Sequence, residues 1–245
     1  MKVAILGAAG RMGQMLVKLA EADPALSVVA QIDVADGYDT TWPEETEAVV
    51  DFSFHAAVAP NVEKAAAQGL AYVIGTTGLT PDEQARVDAC SAKIPVVQAA
   101  NYSLGVNLLL ALVRQAAAVL GPQYDVEVVE MHHRHKKDAP SGTALMLAHA
   151  AAEGRGVKLD DVACYGRKGL VGERPAGEIA LHALRGGSVV GDHTVMFAKN
   201  MEILEPTHRA ISRESLAEGC IQSIKWVAAR KDGEVHSMIE VLGLC

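Results

Sequence analysis

Residues 2–23, KVAILGAAGRMGQMLVKLAEAD, decide the fold class. A short aliphatic run ends at Gly7 and is typical of a buried strand. The apolar residues that follow recur at helical spacing, namely Met12, Met15, Leu16 and Leu19. A strand, a glycine turn and a helix in this order open a dinucleotide-binding βαβ unit. The stretch therefore predicts an α/β protein with a Rossmann-like, parallel-sheet cofactor domain.

The glycines of this turn are Gly7, Gly10 and Gly13, which gives G-x-x-G-x-x-G in place of the commoner G-x-G-x-x-G. Without Cβ atoms the backbone can approach a pyrophosphate closely, and the start of the helix offers unpaired N–H groups and a positive dipole end. A tight turn that needs glycine for its own geometry is the alternative. Its position directly after the first strand favours the nucleotide interpretation.

Asp33 closes the second predicted strand, SVVAQID, and lies 33 − 13 = 20 residues after Gly13. An acidic side chain at about this distance meets the ribose hydroxyls of the adenosine. Its charge would repel a 2′-phosphate, and the following VADGYD (34–39) contains no Arg or Lys to offset it. We therefore expect NADH to be favoured, with NADPH possible. The alternative for Asp33 is a carboxylate that caps a turn.

Strands and helices alternate strictly up to residue 103, which predicts a parallel sheet with right-handed crossovers. Ligands of such sheets bind beyond the carboxyl ends of the strands. Those ends are the segments Gly7–Gly13, Asp33, Ser53–Phe54, Gly75–Gly78 and Ala99–Tyr102. The hydroxyls of Thr76 and Thr77 suit a cofactor contact and the loop's own backbone equally well.

The pattern changes after residue 103. A long apolar helix and an alternating strand are followed by strand-like pieces with few helical signals, which predicts a mixed sheet. A last helix has apolar residues at Leu216, Cys220, Ile224 and Val227, and we expect it to pack on the first domain. The predicted organisation is a dinucleotide-binding domain (1–103 plus 213–245) with an inserted α+β domain (104–212) for substrate binding and oligomerisation.

The bulk composition limits the partners. Lys+Arg of 22 against Asp+Glu of 30 gives a net charge of −8, which disfavours nucleic acid. We expect no signal peptide, because the apolar run at the N-terminus is too short and has no cleavage pattern. We expect no membrane helix, because the apolar run LGVNLLLALV contains Asn107 and is followed by Arg114. The four cysteines are far apart and form no C-x-x-C pair, so a reducing cytoplasm is the simplest inference.

A cationic cluster, HHRHKKDAPSGTA, begins at His132 and has three interpretations: a metal site, a solvated basic face, or a pocket that binds an anion and protonates it. Consecutive histidines of a strand point to opposite faces, and Lys136 and Lys137 would repel a dication, so we expect no metal. Pro140 would open a helix whose first amides belong to Ser141, Gly142 and Thr143, which is a good anion site. Lys136 and one histidine would flank it, and that histidine could act as a general acid.

Two motifs together, GAAGRMG (7–13) and EMHHRHKKDAPSGTA (130–144), resemble the 4-hydroxy-tetrahydrodipicolinate reductases, also called dihydrodipicolinate reductases. IGTTG, AANYSLGVN and RGGSVVGDHTV extend the resemblance along nearly the whole chain. The family implies reduction of a cyclic imine dicarboxylate by a nicotinamide cofactor in lysine and diaminopimelate biosynthesis. It also implies a cytoplasmic homotetramer built through the substrate domains.

The resemblance assigns roles to individual positions. It implies that His132 is the general acid, that Lys136 assists protonation, and that the substrate dicarboxylate is held by His133, Gly142 and Thr143. The family's pyrophosphate loop corresponds to Gly7, Gly10, Arg11, Met12 and Gly13. Its loops that line the nicotinamide correspond to Gly75, Thr77, Ala99, Ala100, Asn101 and Tyr102. Many members carry an Arg after the position of Asp33, and this chain lacks it. The rival functions are another NAD(P)-dependent amino-acid-pathway dehydrogenase, a non-catalytic NAD-binding regulator, and a metal hydrolase.

Overall fold

The computed structural model describes residues 1–33 and 42–244. The chain forms two compact units, of which unit 1 comprises residues 1–104 and 214–245 and unit 2 comprises residues 105–213. Each bound lies one residue from the one expected from the sequence. The segment VADGYD, on which part of the NADH argument depends, lies outside the described residues.

Unit 1 contains a fully parallel sheet of six strands. These are β1 (Lys2–Leu6), β2 (Ser27–Ile32), β3 (Ala48–Asp51), β4 (Ala71–Ile74), β5 (Val96–Gln98) and β12 (Val235–His236). Their order across the sheet is β12-β5-β4-β3-β1-β2, so the direction of winding reverses at β1. The carboxyl ends of β1 and β3 therefore flank the crevice in which α/β proteins of this kind bind ligands.

The helices of unit 1 cover both faces of this sheet. They are α1 (Arg11–Ala22), α2 (His55–Gln68), α3 (Pro81–Ser91), α7 (Glu214–Ala228) and α8 (Met238–Val241). Alternate residues of β1 serve different cores: Val3 and Ile5 pack with α1 and α7, whereas Ala4 and Leu6 pack in the cluster that contains α2 and α3. This arrangement confirms the predicted Rossmann-like class.

Helix ends agree with the capping residues in the sequence. Thr80 caps α3 and forms a capping box with Glu83, with Pro81 in the first turn. Gly69 ends α2 in the left-handed region at φ 69°. The sequence pattern does not predict β12 or α8, because two and four residues are too short to show a period.

Unit 2 contains a mixed sheet. Its strands are β6 (Asp125–His132), β7 (Ala163–Tyr165), β8 (Ile179–Arg185), β9 (Gly191–Lys199), β10 (Glu202–Leu204) and β11 (Thr207–Ala210). The order is β10-β9-β6-β8-β7, with β11 also paired to β9. β6 runs parallel to β8 and antiparallel to β9, which confirms the mixed sheet expected for the inserted segment.

The helices of unit 2 are α4 (Leu104–Leu120), whose first residue belongs to unit 1, α5 (Gly142–Gly154) and α6 (Leu159–Val162). One core joins α4 and α5 to the sheet through residues such as Val113, Leu147, Val126 and Val128. The helical stretch Leu104–Gln123 is longer than the apolar run recognised in the sequence, and at 20 residues and a mean hydropathy of 1.7 it could span a membrane by length and composition. A core helix passes the same test, and Leu109, Val113 and Ala117 of α4 lie in this core.

Candidate active site

The glycine turn of unit 1 has a different physical basis from the one expected. Gly7 lies in the left-handed region at φ 75°, and a Cβ there would meet the Phe52 carbonyl oxygen at 2.3 Å. A Cβ on Gly13 would lie 2.1 Å from the Gly7 carbonyl oxygen. Gly7 and Gly13 are therefore required by the packing of the turn itself. The exposed backbone of Ala9 and Gly10, the N-cap of α1, is the part that a ligand can approach.

A cleft of about 390 Å³ opens at this turn. It is lined by Leu6, Gly7, Ala9, Gly10, Ile32, Asp33, Trp42, Phe52, Ser53, Phe54 and Asn61. Asp33 accepts a hydrogen bond from the Ala9 amide at 2.9 Å, so its carboxylate ties the end of β2 to the glycine turn. The exposed backbone at Ala9 and Gly10, an acidic residue and apolar walls fit the adenosine and pyrophosphate of a nicotinamide nucleotide.

The other predicted cofactor residues are spread around this region. Arg11 is exposed on the first turn of α1, and Met12 packs against the core; neither lines the cleft. A Cβ on Gly75 would lie 2.0 Å from the Phe52 ring, so this glycine makes room for that ring. Thr76 contacts the Asp51 carboxylate at 3.3 Å, and Thr77 is exposed.

The loop after β5 is held by its own contacts. The Ala99 amide donates to the Ile74 carbonyl, and the Asn101 side chain accepts from the Ser103 amide, whereas Ala100 is exposed. Tyr102 was expected at the nicotinamide, but its ring is buried and its hydroxyl donates to the Ile74 carbonyl at 2.7 Å. Burial raises the pKa of Tyr102 well above its usual value. The Tyr102 side chain therefore supports the loop from within the core.

Sequence reasoning missed several residues of this region. Trp42, Phe52 and Asn61 line the cleft. Asp51, at the carboxyl end of β3, is fully buried and accepts hydrogen bonds from the Ser53 amide at 2.9 Å, Asn61 at 3.1 Å and Tyr72 at 2.6 Å. The available signal was an acidic residue at the end of an apolar strand, where parallel sheets bind ligands.

In unit 2 the two-residue period of β6 places Glu130 and His132 on the same buried face. His132 Nδ1 lies 2.6 Å from Glu130 Oε2. An ionised carboxylate can only accept, so Nδ1 donates, and Nε2 is left as the ring atom that can exchange a proton with a substrate. Although burial opposes it, hydrogen bonds from Arg185, His132 and the Ser141 amide lower the pKa of Glu130.

The space around His132 Nε2 is shaped by β9. A Cβ on Gly191 would lie 3.0 Å from this nitrogen, so the glycine keeps its surroundings open. The ring of His193 lies 5.1 Å from that of His132. Burial, and next the charge of His132, lower the pKa of His193 to about 4. At neutral pH His193 is therefore uncharged. Neither Gly191 nor His193 was singled out from the sequence beyond their place in RGGSVVGDHTV.

The start of α5 differs from the expectation in two ways. The helix begins at Gly142 with Ser141 as its N-cap, so Pro140 lies before the helix and not in its first turn. The Ser141 amide donates to Glu130 Oε1 at 3.0 Å, and its hydroxyl accepts from the Ala144 amide and contacts His193 Nε2 at 3.2 Å. Ser141 is thus a buried cap rather than a ligand contact. The exposed Gly142 and half-buried Thr143 remain at the anion-binding end.

The other residues of the predicted cationic cluster, including His133 and Lys136, lie in the loop that follows β6. Lys136 pairs with Asp138 at 2.9 Å. His133 lies just beyond the strand, so the opposite-face argument does not apply to it, and its Nε2 is 3.4 Å from Arg213. Burial and the charge of Arg213 lower the pKa of His133. Within residues 1–33 and 42–244, no group of three or more His, Cys, Asp or Glu side chains is arranged to hold a metal ion.

Comparisons with known proteins cover the whole chain. One family model, "Dihydrodipicolinate reductase, N-terminus", matches residues 1–102, and a second, "Dihydrodipicolinate reductase, C-terminus", matches residues 105–242. A 4-hydroxy-tetrahydrodipicolinate reductase of Anaeromyxobacter dehalogenans is 44% identical over 266 residues, covering 99% of this chain and 98% of that protein. One from Zymomonas mobilis is 46% identical over 248 residues, covering 99% and 97%.

Solved structures agree with these sequence relatives. A dipicolinate-bound dihydrodipicolinate reductase from Paenisporosarcina sp. TG-14 has a TM-score of 0.78 and 25% identity, with 98% of both chains covered. A DAP dehydrogenase of C. glutamicum in complex with DAP has a TM-score of 0.57 and 12% identity, covering 99% of this chain and 95% of that one. The second similarity is one of fold alone.

Proposed function

The chain belongs to the dihydrodipicolinate reductase family, and on this premise we propose that it reduces 4-hydroxy-tetrahydrodipicolinate, by way of dihydrodipicolinate, to tetrahydrodipicolinate with a reduced nicotinamide nucleotide. The reaction belongs to lysine and diaminopimelate biosynthesis. The observation that carries the proposal is the His132–Glu130 pair at 2.6 Å, with the start of α5 held on the same carboxylate. It places a proton donor beside a site for anions.

The residues of unit 1 fit the nucleotide. The exposed backbone at Ala9 and Gly10 would hold the pyrophosphate, and Asp33 would face the adenosine ribose. When bound, the reduced nicotinamide supplies the hydride. The loops at Gly75–Thr77 and Ala99–Asn101 would line the nicotinamide, with their backbones held by Asp51 and by the Ile74 carbonyl.

In unit 2 the substrate meets fixed cations and amides. Gly142 and Thr143 would bind one carboxylate at the helix start, with His133 on the other side of the site. Lys136 is paired with Asp138, and a substrate carboxylate would compete for its ammonium. Hydride addition to a conjugated imine places negative charge on the far end of the conjugated system. His132 Nε2 would then deliver the proton, with Lys136 stabilising that charge.

We further propose that NADH is preferred over NADPH. The carboxylate of Asp33 lies on the cleft, where it would repel a 2′-phosphate. The steady-state kcat/KM should be higher with NADH. A clear preference for NADPH would remove Asp33 from this role while leaving the reaction itself in place.

The enzyme's surroundings are also proposed. A homotetramer is supported by large apolar residues that unit 2 exposes, among them Leu170, Met201 and Ile203. Light scattering on the purified protein gives the number of copies directly. A cytoplasmic location and the absence of nucleic-acid partners are supported by the free thiols of Cys90, Cys164 and Cys220 and by the net charge of −8.

The function is tested by supplying the aldolase product of pyruvate and aspartate semialdehyde and following nicotinamide absorbance with each cofactor. We expect oxidation of the reduced nicotinamide that depends on both enzyme and substrate. Purified protein that oxidises neither NADH nor NADPH under these conditions would exclude the proposed reaction.

A further inference from the structure

Glu130 contacts three other residues of the proposed active site, namely His132, Ser141 and Arg185. It is 1% exposed, and each carboxylate oxygen accepts two hydrogen bonds. Oε2 accepts from His132 Nδ1 at 2.6 Å and from Arg185 at 2.8 Å. Oε1 accepts from the Ser141 amide at 3.0 Å and from Arg185 at 2.9 Å. One carboxylate thus holds the ring of the proposed acid and the N-cap of the helix that would bind the substrate.

We propose that Glu130 is the positioning residue of this active site, which fixes His132 and the first turn of α5 in one geometry with Arg185 as its counter-ion. The inference rests on the proposed function for the identity of the substrate. The contacts themselves do not depend on it.

The buried charge explains why Arg185 belongs to the same group. A buried carboxylate is costly unless a cation and further donors satisfy it. The guanidinium of Arg185 binds both oxygens in the bidentate geometry that suits a carboxylate. It also donates to the Asp138 carbonyl, in the loop that carries Lys136. Arg185 ends β8 directly opposite His132 in the register, so the sheet itself brings the pair together.

A small set of charged and titratable groups surrounds His132. Those around it are Glu130 on its own strand, Arg185 on β8, His193 on β9, and His133 and Lys136 in the following loop. Glu130 is the carboxylate in direct contact with the ring, and it fixes the orientation of the ring by accepting the Nδ1 hydrogen bond. Glutamine has the same shape, but it lacks the charge and would turn an amide N–H group toward Arg185 and toward either His132 or the Ser141 amide.

The test compares Glu130→Gln with Glu127→Gln. Glu127 lies on the same strand three residues earlier, where it pairs with Arg167, Arg174 and His182, away from His132. We expect Glu130→Gln to lower kcat about 100-fold, within the range of general acid catalysis. It should also weaken dipicolinate binding and leave NADH binding unchanged. Glu127→Gln, which leaves the contacts of His132 in place, should keep the wild-type kcat and dipicolinate affinity.

A readout without substrate separates this inference from the proposed function. In ¹⁵N NMR of the free enzyme, neutral His132 should carry its proton on Nδ1, and Glu130→Gln should lose this preference. Glu130→Asp, which keeps a carboxylate acceptor for Nδ1, should retain the wild-type tautomer but with reduced kcat, and it serves if the Gln variant does not fold. An unchanged tautomer and an unchanged kcat in Glu130→Gln overturn the proposal. A wild-type enzyme inactive on the named substrate refutes the proposed function alone.

Discussion

His132 and Glu130 are two residues apart on β6, and the two-residue period of a strand is what brings their side chains to one face. His193 and Gly191 reach the same place from β9, which is antiparallel to β6. The resulting environment contains one histidine held on a carboxylate and a second kept neutral by burial. The two rings therefore differ: His132 is held by a carboxylate, whereas His193 is uncharged at neutral pH.

Substitution at two residues should separate proton donation from anion binding. His132→Gln removes the proton donor, and we expect kcat to fall about 100- to 1000-fold with KM and NADH affinity little changed. Thr143→Ala removes a donor at the start of α5, and we expect mainly a higher KM. Steady-state kinetics with 4-hydroxy-tetrahydrodipicolinate checks both. His149→Gln, on the exposed side of α5, is the control; near-normal turnover of His132→Gln would contradict the acid assignment.

At the scale of elements, the sequence predicted the long helices from their helical spacing, and most of the strands from short apolar runs or from alternation. It misplaced the start of α5, since Ser and Pro are both good residues for a helix start. Ser141 is the N-cap, and its amide donates to Glu130, eleven residues away. The short elements β12 and α8 were not predicted. They are stabilised by tertiary contacts, since β12 pairs with β5, and Met238 and Val241 of α8 pack in the core of unit 1.

His236 should make the stability of this C-terminal segment depend on pH. Burial opposes its charge, but hydrogen bonds to Glu240 and Asp232 raise the pKa of His236 above its usual value. The ring also packs on Trp226, which stacks against Arg230. Because the folded pKa is raised, the stabilisation is fully present below the unfolded value of about 6.5. It is lost as the pH rises through the folded pKa.

We therefore expect His236→Gln to lower Tm relative to wild type, and to lower it more at about pH 5.5 than at about pH 9. These two values lie on either side of the pH at which a histidine titrates. Thermal unfolding followed by circular dichroism at each pH measures the difference. His149→Gln, an exposed histidine in unit 2, should show no such dependence. A Tm difference that stays constant across this range would mean that the charge of His236 contributes nothing.

For the whole molecule, the deciding feature is that unit 1 is built from both ends of the chain. α7 contributes Ala217, Cys220, Ile224 and Val227 to the core that also contains Val3 and Ile5. Three of the four apolar positions that the sequence analysis assigned to this helix are buried, and Leu216 is half-buried. The core of unit 1 thus includes a helix that lies about 200 residues after the glycine turn.

A substitution that leaves a cavity beside α7 should show how far the stability of unit 1 depends on this helix. Ile224 is fully buried, and we expect Ile224→Ala to reduce the free energy of unfolding by about 2–5 kcal/mol. Urea unfolding followed by tryptophan fluorescence reports on unit 1, which contains both Trp42 and Trp226. Ile211→Ala, the same change at a 95% exposed position, is the control and should have little effect. Equal effects of the two substitutions would contradict a packing role for α7.

The sequence by itself determined the α/β class, the glycine turn, the order of most elements and the family, because these depend on local periods and on motifs of contiguous residues. The position of Asp33 and the cationic cluster from His132 were also evident there. Only the tertiary structure decided that Gly7 and Gly13 serve the turn's own packing and that Tyr102 lies in the core. It also decided that Ser141 caps α5 on Glu130. These depend on contacts that form only when the chain folds, such as those of Gly7 with Phe52 and Tyr102 with Ile74, and no local pattern records them.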